Sequence, residues 1–116
     1  MIAKKYRLKR NEIEYVLKKG EELITGKFII RYAKNTEKFS KYCVIISKKF
    51  DASAVKRNLL KRRVYEAVRR YDTFKENDLN VILIPKKSIT KDTKFEDIQK
   101  EISAIIKKLN KKDGKI

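Results

Sequence analysis

The stretch Tyr42-Cys43-Val44-Ile45-Ile46-Ser47, followed by SAVKRNLLKRRVYEAVRRY from Ser53 to Tyr71, decides the fold. The first segment is a β-branched and aromatic run suited to a strand. In the second the apolar period lengthens to that of a helix, and Leu60, Val64, Ala67, Val68 and Tyr71 fall on one face. Working upstream, Phe28-Ile29-Ile30-Arg31-Tyr32-Ala33 is a second strand candidate, divided from the first by the polar stretch Lys34 to Lys41. The two read as antiparallel strands, and Leu23-Ile24 before Gly26 suggests a short third one. Before these, Asn11-Glu12-Ile13-Glu14 has the form of a capping box, with Ile13, Val16 and Leu17 at helical spacing and Gly20 as the stop. Downstream, the apolar run Leu79 to Ile84, ended by Pro85, suits a strand buried on both faces. Finally Phe95, Ile98, Ile102, Ile105, Ile106 and Leu109 predict a second long amphipathic helix that covers the sheet. Helix, two or three strands, helix, strand, helix is an α+β order.

At 116 residues, with 41% hydrophobic side chains, the chain suits one folded domain over 1–116, with a basic C-terminal tail from about 110 that frays. No repeat or Pro-rich linker divides it. Thirty-two Lys and Arg against 15 Asp and Glu give a net charge of +17. Such an excess calls for a polyanionic partner, because neutralised phosphates release condensed counterions. No apolar run is long enough to span a bilayer and no signal-peptide region opens the chain, so a cytoplasmic location without membrane attachment is expected. No obligate protein partner is evident. The single cysteine, Cys43, lies in an apolar run and reads as a small buried side chain. Histidine is absent, which removes the commonest general base and metal ligand from the protein. The adjacent acids Glu21-Glu22 and Glu96-Asp97 point different ways on any regular element and do not form a metal site.

Between Lys56 and Arg70 seven Lys and Arg meet one acid, Glu66, so i to i+4 ion pairs cannot balance them. On a helix, Asn58, Arg62, Tyr65 and Arg69 share the face opposite the apolar stripe, with Lys61 at its flank. Arginine can hold phosphate bidentately and stack on bases, while Asn58 can donate and accept at a sugar or base edge. That chemistry is recognition and not bond cleavage. Lys48, Lys49, Lys56 and Arg57 extend the basic set. A DNA-binding helix is the weaker alternative, since no short partner helix precedes the basic one. Membrane attachment is weaker still, because the basic face offers few apolar edge residues.

Ala54-Val55-Lys56-Arg57-Asn58-Leu59-Leu60-Lys61-Arg62 resembles the ribonuclease P protein signature A-V-x-R-N-R-x-K-R. Ser47-Lys48-Lys49 resembles that family's S-K-K, Arg7-Leu8-Lys9 with Gly20 its opening helix, and Asp78 before Val81-Ile82 its late strand. The resemblance covers about residues 5 to 110. It implies an αβββαβα fold with a mostly antiparallel four-stranded sheet and a left-handed βαβ crossover. It also implies a protein subunit of an endonuclease for tRNA processing, whose partners are the ribonuclease P RNA and precursor tRNA. By the same resemblance the catalytic groups and Mg²⁺ belong mainly to the RNA, so no protein residue is catalytic and no cofactor is bound by the protein. The signature region, with Lys48, Lys49, Lys56, Arg57, Asn58, Lys61, Arg62, Tyr65 and Arg69, would face that RNA.

In the family the 5′ leader lies between the first helix and the sheet, which assigns leader contacts here to Ile13, Leu17, Phe28, Ile30, Arg31 and Tyr32. Core packing is the competing reading for the apolar members, and Arg31 is the better-motivated polar contact. Leu59, Tyr65 and Cys43 stand where the family commonly has Arg, Arg and Gly, and Ile13 and Leu17 where it tends to have Phe. A ribosomal protein or RNA chaperone would use the same basic composition and is the rival reading.

Overall fold

The computed structural model describes residues 6–37, 39–47, 53–70, 78–89 and 93–112. Helix α1 (Arg10–Lys19) leads into strands β1 (Glu21–Ile24), β2 (Phe28–Lys34) and β3 (Lys41–Val44), then α2 (Ala54–Arg69), β4 (Leu79–Pro85) and α3 (Phe95–Lys112). The αβββαβα order expected from the sequence is therefore found, including the short first strand. The sheet order is β1-β2-β4-β3, antiparallel at β1/β2 and β2/β4 and parallel at β3/β4. β2 and β3 do run in opposite directions, as expected, but they are not neighbours, because β4 lies between them. Its composition explains the central place: nearly every residue of Leu79–Pro85 is buried, and only an inner strand hides both faces and both hydrogen-bonding edges. β3 ends sooner than the apolar run suggested, although the Ile45 N–H still donates to the Leu83 carbonyl at 3.0 Å.

Strand parity divides the side chains between two faces. One cross-strand row is Ile30, Leu83 and Val44, and the next is Tyr32, Val81 and Tyr42. These rows, with Phe28 and Leu79, are buried against Leu60, Val64, Ala67 and Val68 of α2 and Ile98, Ile102, Ile105, Ile106 and Leu109 of α3. Burying each large aliphatic side chain stabilises the fold by about 1.5–3 kcal/mol before entropy is counted. The apolar positions assigned to both long helices are thus core, except Phe95, which is half-buried and packs against it, and Tyr71, which lies outside the described residues. Rows of the second face carry Arg31, Ile82 and Cys43, then Ala33, Asn80 and Lys41. α1 lies against β2 and β4 there, and Val16 and Ile82 are both fully buried outside the main cluster.

The start of α1 differs from the expected Asn11–Glu14 capping box. The helix begins at Arg10, and the Glu12 carboxylate accepts from the Lys9 N–H at 2.8 Å. Glu12 also accepts from Lys41 Nζ at 2.8 Å, a tertiary contact that fixes it and that local pattern cannot reveal. Gly20 does close the helix, yet its backbone has an ordinary negative φ of −74°. Close approach requires the glycine: a Cβ there would collide with the Val16 carbonyl oxygen and stand 2.8 Å from that of Tyr32. α2 starts at a conventional cap, with Ser53 Oγ accepting from the Lys56 N–H at 3.3 Å.

Candidate nucleic-acid interface

α2 rests its apolar stripe on the sheet and turns Lys56, Asn58 and Arg62 to solvent, with Arg57, Lys61 and Arg63 half-buried at the flanks. Neither Asn58 nor Arg62 has a carboxylate partner among the described residues. Arg69 is exposed too, but Glu66 holds it: Arg69 Nε donates to Oε1 at 3.1 Å and Nη2 donates to Oε2. Arg70 Nε donates to the same Oε2 at 3.1 Å. Hydrogen bonds from Arg69 and then Arg70 lower the Glu66 carboxyl to about 2, so this acid stays charged and neutralises part of the C-terminal end of the face. Lys56 and Arg62, within the first three turns, have no carboxylate partner among the described residues. Lys48 and Lys49 lie outside the described residues.

Tyr65 does not belong to that outward face. It is 3% exposed, and its hydroxyl accepts from the Val44 N–H at 3.1 Å. β3 is an edge strand, so its outer N–H groups need a partner, and a tyrosine on α2 reaches around the edge to supply one. The buried stripe of α2 is therefore one residue wider than the periodicity implied, because the helix packs against the strand edge as well as the sheet face. Burial raises the Tyr65 hydroxyl above its ordinary value, against the lowering effect of the Val44 hydrogen bond. Val55 and Leu59, one turn apart near the start of α2, are the apolar residues of the basic face, and they are 78% and 50% exposed.

The residues expected along the leader path separate by parity. Phe28, Ile30 and Tyr32 are buried in the main core beneath α2 and α3, so they cannot meet an external ligand. Alternation marks two sets of side chains but not which set the two larger helices cover, and the bulky aromatics went to the thicker layer. Their neighbours Ile29, Arg31 and Ala33 are half-buried on the α1 side. Arg31 Nη2 donates to the Leu17 carbonyl at 2.9 Å, and Nη1 lies 3.7 Å from Glu22. Ile13 is half-buried and Leu17 is 44% exposed. Cys43, expected to be buried, is half-buried on this face beside Ile82. Burial raises its thiol despite the opposing effects of Lys61 and Tyr65, which leaves it protonated and a poor nucleophile at neutral pH.

Lys41 anchors α1 to this face and was not foreseen. Its side chain is 8% exposed and pairs with Glu12 at 2.8 Å and Glu37 at 3.2 Å. Hydrogen bonding to Glu12 raises the Lys41 ammonium, while burial works against it. Burial pushes the Glu12 carboxyl up, but hydrogen bonds from Lys41 and Lys9 outweigh it and hold Glu12 below the ordinary carboxylate value. No helix among the described residues is long and apolar enough to cross a membrane.

A basic helix face on a four-stranded mixed sheet, with a second helix over the opposite face, can be compared with known proteins. The Ribonuclease P family model matches residues 2–110. The ribonuclease P protein component of Petrotoga mobilis is 37% identical over 106 residues, which span 89% of this chain and 88% of that protein. That of Syntrophomonas wolfei is 34% identical over 110 residues, 93% of this chain and 90% of its own length. Among solved structures, the RNase P protein from Thermotoga maritima superposes with a TM-score of 0.81 at 25% identity, covering 88% of this chain and 96% of that one. A Staphylococcus aureus RNase P protein mutant gives a TM-score of 0.78 at 25% identity over 92% and 90% of the two chains. With family match, relatives and fold in agreement along nearly the whole length, this chain belongs to the ribonuclease P protein family, as a protein component of ribonuclease P.

Proposed function

We propose that the outward face of α2 binds the catalytic RNA of ribonuclease P, and that the face of the sheet beside α1 holds the 5′ leader of precursor tRNA. The protein thereby promotes endonucleolytic removal of the leader in the cytoplasm. The observation that carries this reading is the exposed Lys56, Asn58 and Arg62 face, which no described carboxylate neutralises, on a chain of net charge +17. A polyphosphate backbone supplies the missing negative charge, and the planar arginine fork suits bidentate phosphate contact. On the other face, Ile29, Ala33 and Leu17 offer apolar area to unstacked bases, and Arg31 offers a cation whose direction is fixed by the Leu17 carbonyl.

The chemistry belongs to the RNA. The protein lacks histidine, and among the described residues no three His, Cys, Asp or Glu side chains gather where a metal ion could be held. By family resemblance, Mg²⁺ is assigned mainly to the RNA subunit. The protein contributes binding and orientation: its cations screen RNA self-repulsion, and a leader bound on a fixed surface is held close to the reacting phosphodiester. A ribosomal or chaperone role is not favoured, because the family match extends over residues 2–110 and not over a basic helix alone.

Reconstitution tests the proposal. The chain is added to a bacterial ribonuclease P RNA at low Mg²⁺ with a precursor tRNA, and 5′-leader release is followed. Cleavage restored by the protein is the expected result. Absence of rescue, together with preferential binding to ribosomal RNA, would refute it.

A further inference from the structure

Between α2 and α3 an open cleft of about 910 Å³ is lined by the cations Arg62, Arg63, Arg70 and Lys94, the acids Glu66 and Glu96, and Phe95 and Gln99. It lies on the side of α2 away from β3, and it shares Arg62 with the exposed basic face. Resting on the reading that this chain binds RNA, we propose that the cleft is a subsite for one unpaired nucleotide, whose base stacks on Arg70 and whose phosphate is held by Arg62, Arg63 and Lys94.

The guanidinium of Arg70 is already set in place. Its carbon lies 4.8 Å from the centroid of the Phe95 ring, and its Nε donates to Glu66 Oε2 at 3.1 Å. The ring supports one side of the guanidinium and the carboxylate directs its edge. The side chain nevertheless remains 52% exposed, which leaves area for a second planar group. A guanidinium stacked on an aromatic ring is an apolar, cationic platform, and a nucleobase suits it better than a carboxylate, which would seek its N–H edge. Glu66 is thus a positioning residue, and its own charge is met by Arg69 and Arg70. The remaining cations outnumber Glu96, so the cleft attracts phosphate. Gln99 is half-buried on the cleft wall and makes no side-chain hydrogen bond among the described residues, which suits it to a base edge. The volume falls in the range of about 300–1,000 Å³ typical of ligand clefts. An unpaired nucleotide is the suitable occupant, since a base within a duplex cannot offer its face.

The test uses the full chain and a fluorescently labelled bacterial ribonuclease P RNA, with wild type compared with Arg70→Lys, Lys94→Ala and Arg57→Ala at fixed salt. Arg70→Lys keeps the charge and removes the plane, so its affinity should fall about 5- to 10-fold, as expected for loss of one stacked base. Lys94→Ala should weaken binding several-fold. Irradiation of the wild-type complex should give an RNA adduct in the peptide carrying Phe95. Melting temperatures of each variant separate loss of binding from loss of fold. If Arg70→Lys binds as wild type, or no adduct forms in that peptide, while Arg57→Ala is impaired, the subsite is refuted and the α2 interface stands. If Arg57→Ala also binds normally, the underlying RNA-binding reading fails as well.

Discussion

Replacing Tyr65 by phenylalanine separates a structural role from an interface role at one atom. The ring stays in the core, where Tyr65 is 3% exposed, and only the hydroxyl that accepts from the Val44 N–H at 3.1 Å is lost. The donor is left on an edge strand, with no acceptor in place of the hydroxyl. A buried donor deprived of its partner costs about 1–3 kcal/mol. For a chain of this length 1 kcal/mol corresponds to about 4 °C in Tm, so Tyr65→Phe should melt about 4–12 °C lower. Its affinity for a bacterial ribonuclease P RNA, measured well below the melting range, should match wild type, because the hydroxyl faces β3 and not solvent. Calorimetry and a binding titration on the same preparation give both numbers. A variant that melts like wild type but binds RNA more weakly would refute the reasoning and return Tyr65 to the outward face.

Arg57→Ala and Arg62→Ala should each weaken RNA binding by about 1–3 kcal/mol and reduce the salt dependence of log K by about one phosphate contact, read from titrations at several salt concentrations. Undiminished binding in the double variant would contradict the assignment. Gly20→Ala should lower stability by about 2–3 kcal/mol in chemical denaturation, since the added Cβ would press on two backbone carbonyls that cannot both retreat. Glu12 and Lys41 make stability depend on pH in a definite sense. The lowered Glu12 carboxyl contributes fully above its ordinary 4.5, and the contribution is lost as pH falls through the folded-state value. The raised Lys41 ammonium contributes fully below its ordinary 10.5, and that contribution is lost as pH rises through the folded-state value. Stability against pH should therefore show a plateau between those limits. Lys41→Met should lower the plateau by about 2 kcal/mol, less than for a fully buried pair because the Glu12 side chain keeps 21% exposure. Identical pH profiles for the variant and wild type would show that the pair does not couple α1 to the sheet.

The sequence by itself determined the element order, the apolar stripes of α2 and α3 and the buried character of β4, because each rests on a local period or a continuous apolar run. The basic face was legible for the same reason: acids are scarce around Arg57 and Arg62, and charge balance along one helix is a local property. Only the tertiary structure decided the partners. β4 between β2 and β3 follows from which strand needs cover on every side, a comparison among distant segments. The parity of β2 was visible, but the choice of core face depended on α2 and α3 covering one side and α1 the other, which buried Phe28, Ile30 and Tyr32 and left Arg31 beside α1. Tyr65 moved inward because the edge of β3 lies next to α2, and Glu12 became a cap because Lys41 lies across from it. Periodicity reports how a segment divides water from core. It cannot report which distant backbone group will need a hydrogen bond.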